Sequence, residues 1–106
     1  MTDLGYAAFR VTVERSDDRV VLACSGELDL ATAQELTTAV TAVLQDRPGS
    51  ILIAFHDDTF VDSSGLRALL EAVEDCRDAA IRVNVRPGAT LQRLLDLVQI
   101  DVPREQ

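Results

Sequence analysis

Apolar and polar residues change their spacing several times along this chain, and each change marks an element. Phe9, Val11 and Val13 alternate with polar neighbours as far as Arg15, the two-residue period of a half-buried strand. Ser16-Asp17-Asp18 supplies turn chemistry, and Arg19 to Ser25, rich in Val and Leu, reads as the second arm of a hairpin that ends at Gly26. From Thr32 the period lengthens. Leu36, Val40, Val43 and Leu44 fall on one helical stripe, and Thr32-Ala33-Gln34-Glu35 has the Thr-x-x-Glu form of a capping box, so a helix is predicted from about Thr32 to Gln45. Asp46-Arg47-Pro48-Gly49 breaks it, and Ser50 to Phe55 follows as a continuous apolar run of strand length, suited to burial on both faces.

His56-Asp57-Asp58-Thr59 is polar loop, and Phe60-Val61 leads into Asp62-Ser63-Ser64-Gly65, where a second helix begins. Leu66, Leu69, Leu70 and Val73 lie at i, i+3, i+4 and i+7 along it, with Arg67, Glu71, Glu74 and Asp75 on the other side. Ala80 to Val85 is the fourth strand. Arg86-Pro87-Gly88 ends it, and Leu91, Leu94, Leu95 and Val98 mark a third amphipathic helix before Pro103. The order ββαβαβα predicts an α/β fold: a mostly parallel four-stranded sheet, entered by an N-terminal β-hairpin, with helices packed on it. One domain is expected over residues 9–100, flanked by tails at 1–8 and 101–106, since 106 residues do not divide into two cores.

Composition narrows the function. Eighteen acidic residues against ten basic ones give a formal charge of −8, which repels phosphate backbones and anionic membranes, and only 4% of residues are aromatic, too few for a base-stacking platform. Nucleic acid and membrane are therefore not expected as partners. The longest apolar runs, Val20 to Cys24 and Ile51 to Phe55, are far short of the roughly 20 residues a membrane helix needs. No basic region followed by an apolar stretch opens the chain, so a cytoplasmic location is expected. All ten basic residues are Arg, which removes lysine-based catalysis. Cys24 and Cys76 read as small core residues, with a redox pair between them as the alternative.

Two acidic junctions carry the chemistry: Gly26-Glu27-Leu28-Asp29 before the first helix and Asp62-Ser63-Ser64-Gly65-Leu66 before the second. Loops that follow the carboxyl ends of parallel strands gather on one edge of the sheet, where function tends to be placed. A helix start also offers unpaired N–H groups and the positive end of the macrodipole, an environment suited to an anion. Helix capping by Asp62, Ser63 or Ser64 is the plainer explanation of the same residues. A serine hydrolase is not supported: His56 is the only histidine, and no Gly-x-Ser-x-Gly elbow is present. His56-Asp57-Asp58 reads as a solvated acidic loop rather than a metal site, and no cofactor motif appears. No enzymatic activity is expected.

Gly-Glu-Leu-Asp at 26–29, Phe-Val-Asp-Ser-Ser-Gly-Leu at 60–66 and the helix between Pro87 and Val98 together resemble the STAS domain, specifically the anti-sigma factor antagonists of bacteria. The resemblance spans roughly residues 9–100, with Asp-Ser-Ser-Gly-Leu its most specific part. It implies a partner switch. The unphosphorylated domain binds an anti-sigma factor that is also a serine kinase, phosphorylation of the first motif serine, here Ser63, breaks the complex, and a metal-dependent serine/threonine phosphatase resets it. By the same resemblance Asp29, Asp62, Ser64, Gly65 and Leu66 fall in the partner-binding region, with Glu27 beside them; Gly65, lacking a side chain, lets a kinase approach the backbone closely and tolerates unusual dihedrals. Three departures stand out: Ala54 replaces a usual Asp or Asn, Asp58 an apolar residue, and the chain ends at Gln106 where relatives usually add a helix. The alternative implied by the same fold is a non-switching STAS subunit of a transport or stress-sensing assembly.

Overall fold

The structure, a computed structural model, describes residues 8–105; apart from Ala8, the expected tail at 1–8 lies outside the described residues. Strands β1 (Arg10–Ser16), β2 (Arg19–Ser25), β4 (Ser50–Phe55) and β6 (Arg82–Arg86) form one sheet in the order β1-β2-β4-β6. Only β1 runs antiparallel to its neighbour; β2, β4 and β6 are parallel. The helices are α1 (Ala33–Gln45), α2 (Ser63–Asp78) and α3 (Gly88–Val98). This is the predicted mixed sheet with its entry hairpin.

The alternation in β2 selects the core face. Val20, Leu22 and Cys24 are buried and pair with Ile51, Ile53 and Phe55 of β4, of which Ile51 and Ile53 pair in turn with Val83 and Val85 of β6. Leu36, Val40 and Val43 from α1 and Leu69, Ala72, Val73 and Cys76 from α2 join the same cluster, so α1 and α2 cover that face side by side. Hydrophobic burial of this kind is the main force holding such layers together. Leu52 points to the opposite face, yet it is also buried, which explains why the apolar run of β4 is unbroken.

Four expectations need correction. Two further strands, β3 (Glu27–Leu28) and β5 (Phe60–Val61), pair parallel with each other in a separate two-stranded sheet. In β1 the burial is lost after Val11, which packs against the core beside α1: Val13, further along this edge strand, is 41% exposed. Thr32 precedes α1 but does not form the capping box; its hydroxyl instead donates to the Glu27 carbonyl at 2.7 Å and accepts from the Asp29 N–H at 2.9 Å. The strand expected over Ala80 to Val85 begins at Arg82, since Ala80 has a positive φ of 59° in the turn that ends α2. Residues 101–105 return alongside β6: the Val85 N–H donates to the Pro103 carbonyl at 2.6 Å, Val102 is buried, and Glu105 pairs with Arg19 and Arg86.

Candidate functional site: two motifs joined at the start of the second helix

The short sheet β3–β5 brings the two acidic junctions together. Glu27 aligns with Phe60 and Leu28 with Val61, the Phe60 N–H donates to the Gly26 carbonyl at 2.9 Å, and the Asp62 N–H donates to the Leu28 carbonyl at 3.2 Å. Gly65 completes the joint. A Cβ at this position would stand 2.2 Å from the Leu28 carbonyl oxygen, so only glycine lets the first turn of α2 press against β3. That contact, rather than unusual dihedrals, is the reason for glycine here, because Gly65 lies inside the helix and does not adopt a positive φ.

Asp62 is the cap of α2. Its backbone is extended (φ −95°, ψ −172°) and its Oδ1 accepts from the Gly65 N–H at 2.9 Å. Ser64 is therefore not the cap; it is the second residue of the helix and half-buried. Ser63 is the first residue of α2, and its side chain is exposed. Asp62 takes the Gly65 and Leu66 N–H groups of this turn, while those of Ser63 and Ser64 have no intrahelical acceptor, so an anion on the Ser63 oxygen meets the positive end of the helix.

Asp29 ties together the turn that leads into α1. Its Oδ1 accepts from the Ala31 N–H at 3.0 Å and the Thr32 N–H at 3.1 Å, and its carbonyl accepts from the Ala33 N–H at 2.8 Å. The carboxylate is half-buried and occupied in shaping the loop. Glu27 is half-buried and lines a different groove, with Arg10, His56 and Asp58. His56 sits in that second groove rather than beside Ser63, so no imidazole is delivered to the serine hydroxyl. Leu66 is a core residue with 7% exposure. The structure thus sets Asp62, Ser63 and Ser64 on one turn, and neither Asp29 nor Glu27 lines a groove that Ser63 lines.

That groove, about 450 Å³ in volume, runs between the first turns of α1 and α2. Leu30, Ala33 and Thr37 line one wall and Ser63, Arg67 and Glu71 the other. Leu30 is 80% exposed. In the sequence Leu30 belongs to no periodic stripe and Arg67 reads only as part of a solvated helix face. The available signal was a leucine in the polar turn between Asp29 and Thr32, off the helical stripe that explains the other leucines of this region.

Among the described residues no group of three or more His, Cys, Asp or Glu side chains is placed to hold a metal, and no helix is long and apolar enough to cross a membrane. Cys24 and Cys76 are both free and buried in the core, and burial pushes their thiols up to about 12 and about 11. Such thiols stay protonated and unreactive near neutral pH.

A hairpin-entered parallel sheet whose two acidic turns are tied together at the head of the second helix defines the STAS class of domain. The STAS domain profile matches residues 10–102, and the chain belongs to the STAS domain family. The anti-sigma-F factor antagonist RsfB of Mycobacterium tuberculosis is 31% identical over 91 residues, which is 86% of this chain and 75% of RsfB. The crystal structure of an anti-sigma factor antagonist from Mycobacterium paratuberculosis superposes with a TM-score of 0.74 at 29% identity, over 87% of this chain and 79% of the other. Unphosphorylated SpoIIAA, at 23% identity and a TM-score of 0.60, shares the fold over 85% of this chain and 83% of its own.

Proposed function

We propose that this chain is an anti-sigma factor antagonist of the partner-switching kind, acting in the cytoplasm and carrying no catalysis of its own. Unphosphorylated, it binds an anti-sigma factor that is also a serine kinase and so frees the sigma factor. Phosphorylation of Ser63 dissolves that complex, and a serine/threonine phosphatase restores it. The observation that carries this reading is the Ser63 side chain, exposed at the first position of α2 within Asp-Ser-Ser-Gly-Leu. The similarity to RsfB supports the choice of partner class.

A phosphate carries about −1.5 to −2 charge and three strong acceptor oxygens. At the head of α2 the helix tolerates it, so the modification leaves the fold intact and acts on whatever is docked there. Two unit charges about 5 Å apart at an effective dielectric of about 20 repel by about 3 kcal/mol, and a third of that weakens a complex about fivefold. Asp62, next to the acceptor, contributes standing negative charge to the same turn.

The test is incubation with each kinase-type anti-sigma factor of the source genome in the presence of ATP. The expected result is a mass gain of one phosphate that maps to Ser63 and is absent from Ser63→Ala. A chain that none of these kinases modifies would refute the switching mechanism.

A further inference from the structure

We propose that Leu30 is the apolar anchor of the docking face for the anti-sigma factor, the groove between the heads of α1 and α2 forming the rest of that face. The proposal rests on the function proposed above and goes further, naming the residue that grips and the chemistry it demands of the partner.

Leu30 is 80% exposed on a loop that is not loose. The residues that follow it are pinned, because the Asp29 carboxylate accepts from the N–H groups of Ala31 and Thr32, and the Thr32 hydroxyl is bonded to Glu27 and Asp29. A turn whose backbone is already ordered loses little backbone freedom on binding, so more of the gain from burying the apolar side chain it holds out goes into affinity. It stands over a groove whose opposite wall carries Ser63.

The charges around the groove specify its occupant. Asp29 and Asp62 each spend a carboxylate oxygen on backbone N–H groups. Arg67 and Glu71 belong to no ion pair among the described residues, although both line the groove. The complementary surface on the anti-sigma factor is therefore an apolar pocket for Leu30 flanked by a carboxylate against Arg67 and a basic group against Glu71. Ser63 precedes Arg67 by four residues, one helical turn, where oppositely charged side chains meet. A phosphate on Ser63 thus draws the Arg67 guanidinium to itself and confronts the partner's carboxylate with a new negative charge. Docking and release are read at one groove.

The experiment measures, by calorimetry, the affinity of the purified anti-sigma factors for the unphosphorylated chain and for Leu30→Ser, Leu97→Ser and Arg67→Gln. Leu97 is the control, since it is 82% exposed but lies on α3, away from the groove. Leu30→Ser is expected to weaken binding about tenfold or more while the melting temperature of the free chain is unchanged, and Leu97→Ser to bind as the wild type does. Arg67→Gln is expected to flatten the salt dependence of binding. Wild-type affinity in Leu30→Ser, an equal loss in Leu97→Ser, or an unaltered salt dependence in Arg67→Gln overturns the docking face while the partner assignment stands. Failure of the wild type to bind any anti-sigma factor overturns the functional reading and the anchor with it.

Discussion

Gly65 marks the tightest approach in the site. The Leu28 carbonyl that a Cβ would strike accepts the Asp62 N–H, so it cannot retreat without opening the joint between the two motifs. Gly65→Ala is expected to destabilise the fold by about 2–3 kcal/mol in urea unfolding, the range of overpacked sites; a loss below about 0.5 kcal/mol, typical of surface substitutions, would show that the joint yields. Ser63, two residues earlier, is the opposite case. Ser63→Asp is expected to stay within about 1 kcal/mol of the wild type, because the side chain is exposed and an anion suits a helix head, yet to abolish capture of the anti-sigma factor in a pull-down. Both positions were legible in the sequence as parts of one motif, but their physical roles were not equally so. Asp62 and Ser64 are both good caps by residue type, and only the extended backbone at Asp62 decides between them. The reason for glycine at 65 lies in β3, far away along the chain, where no local pattern reaches.

The helices show where local pattern suffices and where it fails. Periodicity located all three, because each carries a stripe of leucine or valine that the sheet buries. Their beginnings are set by distant residues. Pro87 leads α3 without a side-chain cap, and Asp57, from the loop after β4, supplies both acceptors: Oδ1 to the Ala89 N–H at 3.0 Å and the carbonyl to the Thr90 N–H at 2.9 Å. Asp57→Ala is expected to cost about 1 kcal/mol and to speed hydrogen exchange at Ala89, whereas the neighbouring exposed Asp58→Ala leaves both unchanged. Equal exchange in the two variants would remove Asp57 from the cap. The strands β3 and β5 escaped the sequence altogether, since two residues hold no period. The apparent capping box at Thr32 failed because the hydroxyl it needs is bonded to Glu27 and Asp29 instead.

Over the molecule as a whole, one continuous core contains both thiols. Burial raises Cys24 to about 12 and Cys76 to about 11 from an ordinary 9.0, with the Asp75 charge adding to the rise at Cys76. In the unfolded chain the thiols lose their protons first as the solution turns alkaline, so the native state then holds more protons and stability declines from about pH 9 toward pH 11–12. Below pH 9 this contribution is fully present. Equilibrium unfolding along an alkaline series should show the decline, reduced in Cys24→Ala/Cys76→Ala. A thiol reagent at pH 8 should label neither cysteine of the native protein and both in denaturant; labelling of the native protein would reopen the redox pair. The β3–β5 joint also has a spectroscopic use. The amides of Phe60 and Asp62 belong chemically to the serine turn but resonate under the carbonyls of Gly26 and Leu28. Nuclear magnetic resonance shifts at these two positions therefore report strain in the opposite loop, so an event felt at Leu30 becomes visible beside Ser63 without a label on either.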